Sequence, residues 1–147
     1  SLAEEVGRCL MPPAPATKLR QVGQATRGVT FDTGVLIALE RRKANAFALL
    51  RACRLARARI TIPASVVAEW WRGDHRAILE CGVIEPLTPG IAEQAGLLLA
   101  KTRGSNSVDA VVIASAAARG DLVVTSDLGD LRELASHLRG VRVEGLA

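Results

Sequence analysis

The sequence predicts an α/β fold with a mainly parallel central sheet and helices on both faces. Short β-branched runs alternate along the chain with longer segments of helical periodicity, which is the pattern of repeated strand-helix-strand units. The strands are apolar at nearly every position, as expected where both faces of a sheet are covered. Hydrophobic residues make up 49% of the chain and aromatic ones only 3%, which favours packed aliphatic layers. The predicted strands are residues 29–31, 60–62, 83–87, 122–125 and 141–143.

Composition narrows the classes of function. The 147 residues amount to one domain with a substantial core, and the net charge of +4 permits a polyanionic partner without requiring one. Three cysteines with no C-x-x-C spacing predict reduced thiols and neither a disulfide frame nor a zinc site. No apolar run approaches the roughly 20 residues of a membrane span, and the first residues do not resemble a secretory signal. We therefore expect a cytoplasmic protein without a membrane partner.

Two segments are expected. Residues 1–27 form an N-terminal arm or linker, which could instead derive from an expression vector, and residues 28–147 form the main domain. Within the arm, Ser1 and Glu4 have the spacing of a capping box for a short helix ending near Leu10. Three prolines at positions 12, 13 and 15 stop that helix, and the polar, basic stretch that follows predicts extended chain.

Two aspartates come directly after predicted strands. Asp32, followed by Thr33, lies where strand 29–31 ends and a helix to about Glu40 begins, and Asp127 repeats this position after strand 122–125. In an open parallel sheet the carboxyl ends of the strands form the edge where ligands bind. An aspartate at a helix start is also a common N-cap, so a purely structural role stays open.

Two further acids lie in apolar surroundings. Glu69 follows a Val-Val pair in a helix over 64–72 and precedes Trp70 and Trp71, so we expect its carboxylate to be partly buried. Asp109 is the sole charge between residues 108 and 118, in a helix so apolar that it must be deeply buried, with Ser105 or Ser107 as its expected cap. Asp109 gains about 0.3 to 1 kcal/mol from the helix dipole, which keeps a structural role available for it as well.

The four acids together suggest a cation site. Like charges that converge within about 4 Å raise one another's pKa and destabilise a fold unless something positive lies between them. An all-oxygen ligand set selects Mg²⁺ or Mn²⁺ over zinc, and such sites keep waters for chemistry on phosphate. We therefore expect Mg²⁺ or Mn²⁺ as the cofactor.

The chain resembles the PIN-domain ribonucleases, in particular the VapC-type toxins of bacterial toxin-antitoxin pairs. The resemblance covers about residues 28–143 and rests on four motifs in order. These are TFDTGVLIAL around Asp32, SVVAEWWRG around Glu69, SVDAVVIASAAARGD around Asp109 and LVVTSDLGDLREL around Asp127. It implies a PIN-like three-layer sandwich and makes residues 28–147 a nuclease domain.

The resemblance also implies a site and a reaction. The expected Mg²⁺ ligands are the four acids, with Thr33 and Thr125 or Ser126 as supporting hydroxyls and Asp130 as an outer acid. The expected activity is endoribonuclease cleavage of RNA by a metal-activated water, with a cognate antitoxin as partner. Leaving out the four site acids, nineteen basic residues face eleven acidic ones, so the remaining surface carries about +8, which suits an RNA backbone. A homodimer is implied as well, with Trp70 and Trp71 as candidate exposed apolar contacts.

Two other classes compete with this interpretation. A receiver domain or a haloacid-dehalogenase-type phosphatase also places an aspartate at a strand end, but the phosphatase pattern requires a second aspartate where Gly34 stands. A receiver would need an acidic pair in an earlier loop and a lysine after a late strand. The non-enzyme alternative is a catalytically silent PIN-like module that binds RNA or protein.

Overall fold

A five-stranded parallel sheet forms the centre of the protein. The computed structural model describes residues 1–10 and 28–146. The strands lie in the order β3-β2-β1-β4-β5, and Val29 of the central strand is in register with Ile60 on one side and Leu122 on the other. Their bounds are β1 Val29–Phe31, β2 Ile60–Pro63, β3 Val83–Glu85, β4 Leu122–Thr125 and β5 Arg142–Gly145. The predicted α/β class is confirmed.

Helices cover both faces of the sheet in the described part of the chain. Their bounds are α1 Leu2–Leu10, α2 Thr33–Glu40, α3 Ala44–Ala56, α4 Ala64–Trp70, α5 Arg76–Leu79, α6 Pro89–Lys101, α7 Ser107–Arg119 and α8 Leu128–Ala135. Helices α1 to α5 pack among themselves, as do α6 to α8. Right-handed crossovers in this strand order place the first group on one face and the second on the other. None of these helices is long and apolar enough to cross a membrane.

The core is aliphatic and lies against the central strands. Every residue of β1 and β2 is buried, and β-branched side chains dominate both strands. In α7 the seven consecutive residues from Ala110 to Ala116 are all buried, which confirms that this helix is buried on every side. All three cysteines are free, as predicted, and all three are buried.

The first helix packs onto the main domain. The amide of Glu4 donates to Ser1 Oγ at 3.2 Å and the Ser1 amino group lies 3.2 Å from the Glu4 carboxylate, so the capping box is present. Leu2, Val6 and Cys9 are buried and α1 lies against α3 and α5. The rest of the expected arm, residues 11–27, lies outside the described residues, so the boundary between residues 27 and 28 stays a prediction.

The largest differences from the sequence expectations lie around residues 70–85. Helix α4 ends at Trp70, two residues early, and Gly73 and His75 then take positive φ values of 97° and 59°. The four-residue helix α5 is too short to show a period and was not predicted. Strand β3 ends at Glu85 because Pro86 follows, which has no amide hydrogen to continue a ladder.

Arg119, the last residue of α7, holds four elements together. Its guanidinium lies 2.6 Å from Glu85 at the end of β3 and 2.9 Å from Asp121, which precedes β4. It also donates to Thr30 Oγ1 in β1 at 2.9 Å and to Ser115 Oγ in α7 at 2.8 Å. Asp121 and Thr30 are buried, so this ion pair network is shielded from water.

Replacing Arg119 with Met should lower the free energy of unfolding by about 3 kcal/mol. The apolar stem is kept, but the buried Asp121 and the partly exposed Glu85 then lose their cation, and breaking a buried ion pair is strongly destabilising. Urea titration followed by circular dichroism measures the loss. The matched control is Arg132→Met on the exposed face of α8, which should stay within about 0.5 kcal/mol of wild type. Equal stability of the two variants would contradict the role of the network.

Candidate active site

Asp32 lies at the carboxyl end of β1 and is held from two sides. Its Oδ1 accepts from the amide of Val35 at 3.0 Å, so it is the N-cap of α2, and its Oδ2 accepts from Thr125 Oγ1 at 2.5 Å. The side chain is almost fully enclosed, with 7% of its surface exposed. Burial raises the pKa of the Asp32 carboxyl against the hydrogen bonds from Thr125, Val35 and Gly34, and the charge of Asp127 adds to the rise. Asp32 is therefore the N-cap of α2 and also a carboxylate whose charged form is disfavoured by burial.

Thr125 connects the ends of the two central strands. It closes β4, and its hydroxyl also accepts from the amide of Asp127 at 2.9 Å. Its own carbonyl accepts from the amide of Leu146, just after β5, at 2.7 Å. Backbone hydrogen bonds from Asp127 and Leu146 therefore hold Thr125, whose hydroxyl donates to Asp32, in place.

Glu69 reaches the same edge from α4, but in a different environment from the one expected. The residue is exposed, not partly buried, and its carboxylate accepts a hydrogen bond from Thr33 Oγ1. Val66 and Trp70, four residues apart, share the buried face of α4, and Glu69 is turned about 100° from Trp70. Trp70 is only 6% exposed, so the expected exposed tryptophan pair is wrong for this residue.

Asp109 lies in the first turn of α7 and is half-buried. The N-cap of this helix is Asn106, whose Oδ1 accepts from the Asp109 amide at 2.8 Å, so the expected Ser105 or Ser107 cap is wrong. Asparagine caps as well as serine does, and the run of three polar residues did not distinguish them. The pKa of Asp109 is raised to about 6, and burial is the largest cause. Four neighbouring carboxylates contribute the rest of the rise, in the order Asp32, Glu69, Asp130 and Asp127.

Asp127, Ser126 and Asp130 complete this edge of the sheet. Asp127 occupies the N-cap position of α8 but makes no capping hydrogen bond, unlike Asp32, and its side chain is exposed. Asp130 is exposed one turn further on. Ser126 Oγ makes no hydrogen bond to the acids among the described residues; it lies against Gly34, where an added Cβ would come within 1.9 Å of it.

The donor chemistry of this edge fits a divalent cation. No three His, Cys, Asp or Glu side chains of the described residues lie close enough together to hold a metal ion as they stand. Burial nevertheless raises the pKa of both Asp32 and Asp109, and repulsion from neighbouring carboxylates adds to each rise. A cation would relieve that repulsion, and oxygen donors are the ligands Mg²⁺ and Mn²⁺ prefer. Asp32, Glu69, Asp109 and Asp127 are the residues that would hold it.

Burial disfavours the thiolate form of two of the three cysteines. Burial raises the pKa of Cys53 to about 11 and that of Cys81 to about 12, so neither forms a thiolate near neutral pH.

A comparison with known protein families identifies the family of this chain. The PIN domain family matches residues 29–136, well over half of the chain, and the match contains all four acids. The chain belongs to the PIN-domain family. Comparison with curated protein sequences gives no match.

Solved structures share this PIN fold. VapBC2 from Rickettsia felis, bound to a DNA fragment from its promoter, aligns with a TM-score of 0.62 and 14% identity, over 80% of this chain and 97% of that one. DNA-bound VapBC from Salmonella typhimurium aligns at 0.61 with 16% identity, over 82% and 99%. A toxin-antitoxin complex from Klebsiella pneumoniae aligns at 0.59 with 22% identity, over 78% and 95%. At these identities the likeness shows the fold.

Replacing Asp109 with Asn should stabilise the metal-free protein above pH 6. Because folding raises the pKa of Asp109 from 3.8 to about 6, the folded state holds the proton more tightly, and this contribution to stability is lost as the pH rises through about 6. The rise corresponds to about 3 kcal/mol, which solvent screening at a half-buried position reduces to about 1 to 2 kcal/mol.

Thermal melts in EDTA between pH 4 and 8 measure this difference. The variant should melt a few degrees above wild type at pH 7.5, and the two should converge near pH 4. Asp74→Asn, at an exposed position, is the control and should show no such gap. A gap that is absent at pH 7.5, or that widens towards acid, would contradict the repulsion inferred at Asp109.

Proposed function

We propose that the protein is a Mg²⁺- or Mn²⁺-dependent endoribonuclease that hydrolyses RNA phosphodiester bonds at the four-carboxylate edge of its sheet. The observation that carries the proposal is the group of acids around Asp109, whose pKa is raised first by burial and then by the charges of Asp32, Glu69, Asp130 and Asp127. A fold held together for structure alone gains nothing from five facing carboxylates. A nuclease gains a cation site beside a surface that is otherwise basic.

The residues of the chain have distinct roles in this mechanism. When bound, the metal supplies a lowered pKa for an attacking water and positive charge for the phosphate oxygens. Thr125 holds Asp32 in one orientation and Thr33 does the same for Glu69, so both carboxylates are positioned before substrate arrives. Asn106 fixes the first turn of α7 and with it Asp109. Asp130, exposed at the rim, is the outer acid.

A toxin role follows from the proteins that share the fold. The similar structures from Rickettsia felis, Salmonella typhimurium and Klebsiella pneumoniae are VapBC or toxin-antitoxin complexes. We accordingly propose a cognate antitoxin that covers the carboxylate edge, and a cytoplasmic location where RNA and antitoxin are both accessible. A catalytically silent PIN module would bind RNA or protein but leave RNA intact, and the cleavage assay below separates the two.

A homodimer is part of the proposal, but not through Trp70. The exposed apolar surface of the described residues includes edge strand β3, where Val83 is 56% and Ile84 41% exposed, and continues to Leu87. An edge strand with uncovered apolar side chains is a favourable surface for a second chain.

RNA cleavage should require the divalent metal and each of the four acids. Wild-type protein is expected to cleave single-stranded RNA with Mg²⁺ or Mn²⁺ and to stop in EDTA. Glu69→Gln and Asp109→Asn should each lower the rate by about 100-fold or more, because losing a ligand charge removes several kcal/mol of transition-state stabilisation. Calorimetric titration with Mg²⁺ should show weakened binding in the same variants.

The control for this experiment is Glu93→Gln, which removes an exposed carboxylate from α6. It should cleave and bind Mg²⁺ as wild type does. Cleavage that persists in excess chelator, in protein shown to be free of contaminating ribonuclease, would refute the metal mechanism. Wild-type protein that binds RNA but never cleaves it would favour the silent module.

Light scattering tests the dimer. Wild-type protein at tens of micromolar should give twice the monomer mass, and Ile84→Glu should give the monomer mass with an unchanged circular dichroism spectrum, since a charge cannot be buried unpaired in the interface. Leu97→Glu, at an exposed position on α6, should leave the dimer intact. A monomeric wild type, or dissociation by both variants alike, would refute the β3 interface.

A further inference from the structure

A cavity of about 470 Å³ adjoins the carboxylate edge. It shares Gly34 and Ser126 with that edge, so it begins one residue away from Asp127 and two from Asp32. The turn between α2 and α3 forms its far side. The cavity therefore borders the carboxylate edge.

Two cations stand at this cavity. Arg41 and Lys43 flank the turn between α2 and α3, both are exposed, and neither forms an ion pair within the described part of the chain. By contrast Arg42, between them in sequence, pairs with Glu5 of α1 at 3.3 Å. The turn thus directs two of its three charges towards the cavity and one towards the first helix.

A polar group without a partner lies in the same cavity. The Oδ1 atom of Asn45 is buried and has no hydrogen-bond donor among the described residues. Such an atom destabilises the fold unless a ligand or water satisfies it. An asparagine amide both donates and accepts, which is how this side chain reads the edge of a nucleobase. Ile37 and Leu146 add apolar walls that a base or sugar can contact.

We propose that this cavity is a nucleotide subsite flanking the cleavage site, with Arg41 and Lys43 on the RNA phosphates and Asn45 on a base edge. The inference rests on RNA as the substrate of the proposed nuclease. RNA fits better than an acidic protein segment because the cavity combines a buried amide oxygen that has no donor among the described residues with two exposed cations. The edge of a nucleobase suits the amide, and the phosphate backbone suits the cations.

Binding of short single-stranded RNA tests the phosphate contacts. Fluorescence anisotropy is measured in EDTA, where a metal-dependent nuclease leaves its substrate whole, over a series of salt concentrations. The double variant Arg41→Ala/Lys43→Ala should bind about 10-fold more weakly at low salt. Its slope of log K against log salt should be shallower by about 1.4, which corresponds to two lost single-strand phosphate contacts.

The matched control removes two exposed cations from the opposite edge of the sheet, as Arg59→Ala/Arg139→Ala. It should change neither affinity nor slope by more than about the measurement error. If the two double variants bind alike, the subsite is refuted although RNA binding stands. If wild-type protein binds no RNA at all, the substrate proposal fails together with the subsite.

Base recognition is tested with Asn45→Ala on oligo-A, oligo-C and oligo-U. Wild type should prefer one of the three by about 5-fold or more, and the variant should bind all three within about 2-fold of one another with an unchanged salt slope. A wild type without preference, or a variant that keeps it, refutes the role of Asn45. The same titrations with an oligoglutamate peptide complete the test: peptide binding that depends on Arg41 and Lys43, with RNA binding that does not, overturns the subsite in favour of a protein ligand.

Discussion

Arg119 connects the far end of α7 to β1, β3 and the residue before β4, and the carboxylate edge depends on this contact although none of its acids touches it. Asp109 lies ten residues earlier on the same helix, about 15 Å along its axis. A buried helix without charges of its own could slide or rotate against aliphatic neighbours at little cost. Anchored by Arg119 at one end and capped by Asn106 at the other, α7 presents Asp109 at one fixed height above the strands.

The opposing forces at the two ends of α7 differ in kind. At the Arg119 end one cation lies between two carboxylates, so opposite charges are in direct contact and attract each other. At the Asp109 end acids face acids, and the balance must come from a proton or a bound cation. The attractive contacts at the Arg119 end of α7 thus hold the repelling acids at the Asp109 end in place. This is how an unfavourable arrangement of charges persists in a fold with only modest net stability.

The alternation of strands and helices and the parallel sheet could be predicted because they depend on local signals. Apolar runs mark buried strands, and parallel strands bring residues such as Asp32 and Asp127 to a shared edge. Other features depend on contacts distant in sequence. Nothing near Arg119 shows that it will meet Glu85, 34 positions earlier, and the exposure of Glu69 follows from which face of α4 the core selects. Asn106 was missed for a different reason, since three adjacent polar residues can all cap a helix.

The hydrogen bond between Leu146 and the carbonyl of Thr125 gives the outermost strand an influence on the centre of the site. Strand β5 is the least covered part of the sheet on that side, with most of its residues open to solvent, and such edges open and close more often than buried strands do. Each opening of β5 releases the backbone beside the hydroxyl that steadies Asp32. Local opening of β5 at the edge of the sheet is therefore transmitted to the buried Asp32 carboxylate through a single peptide unit, and no helix has to move.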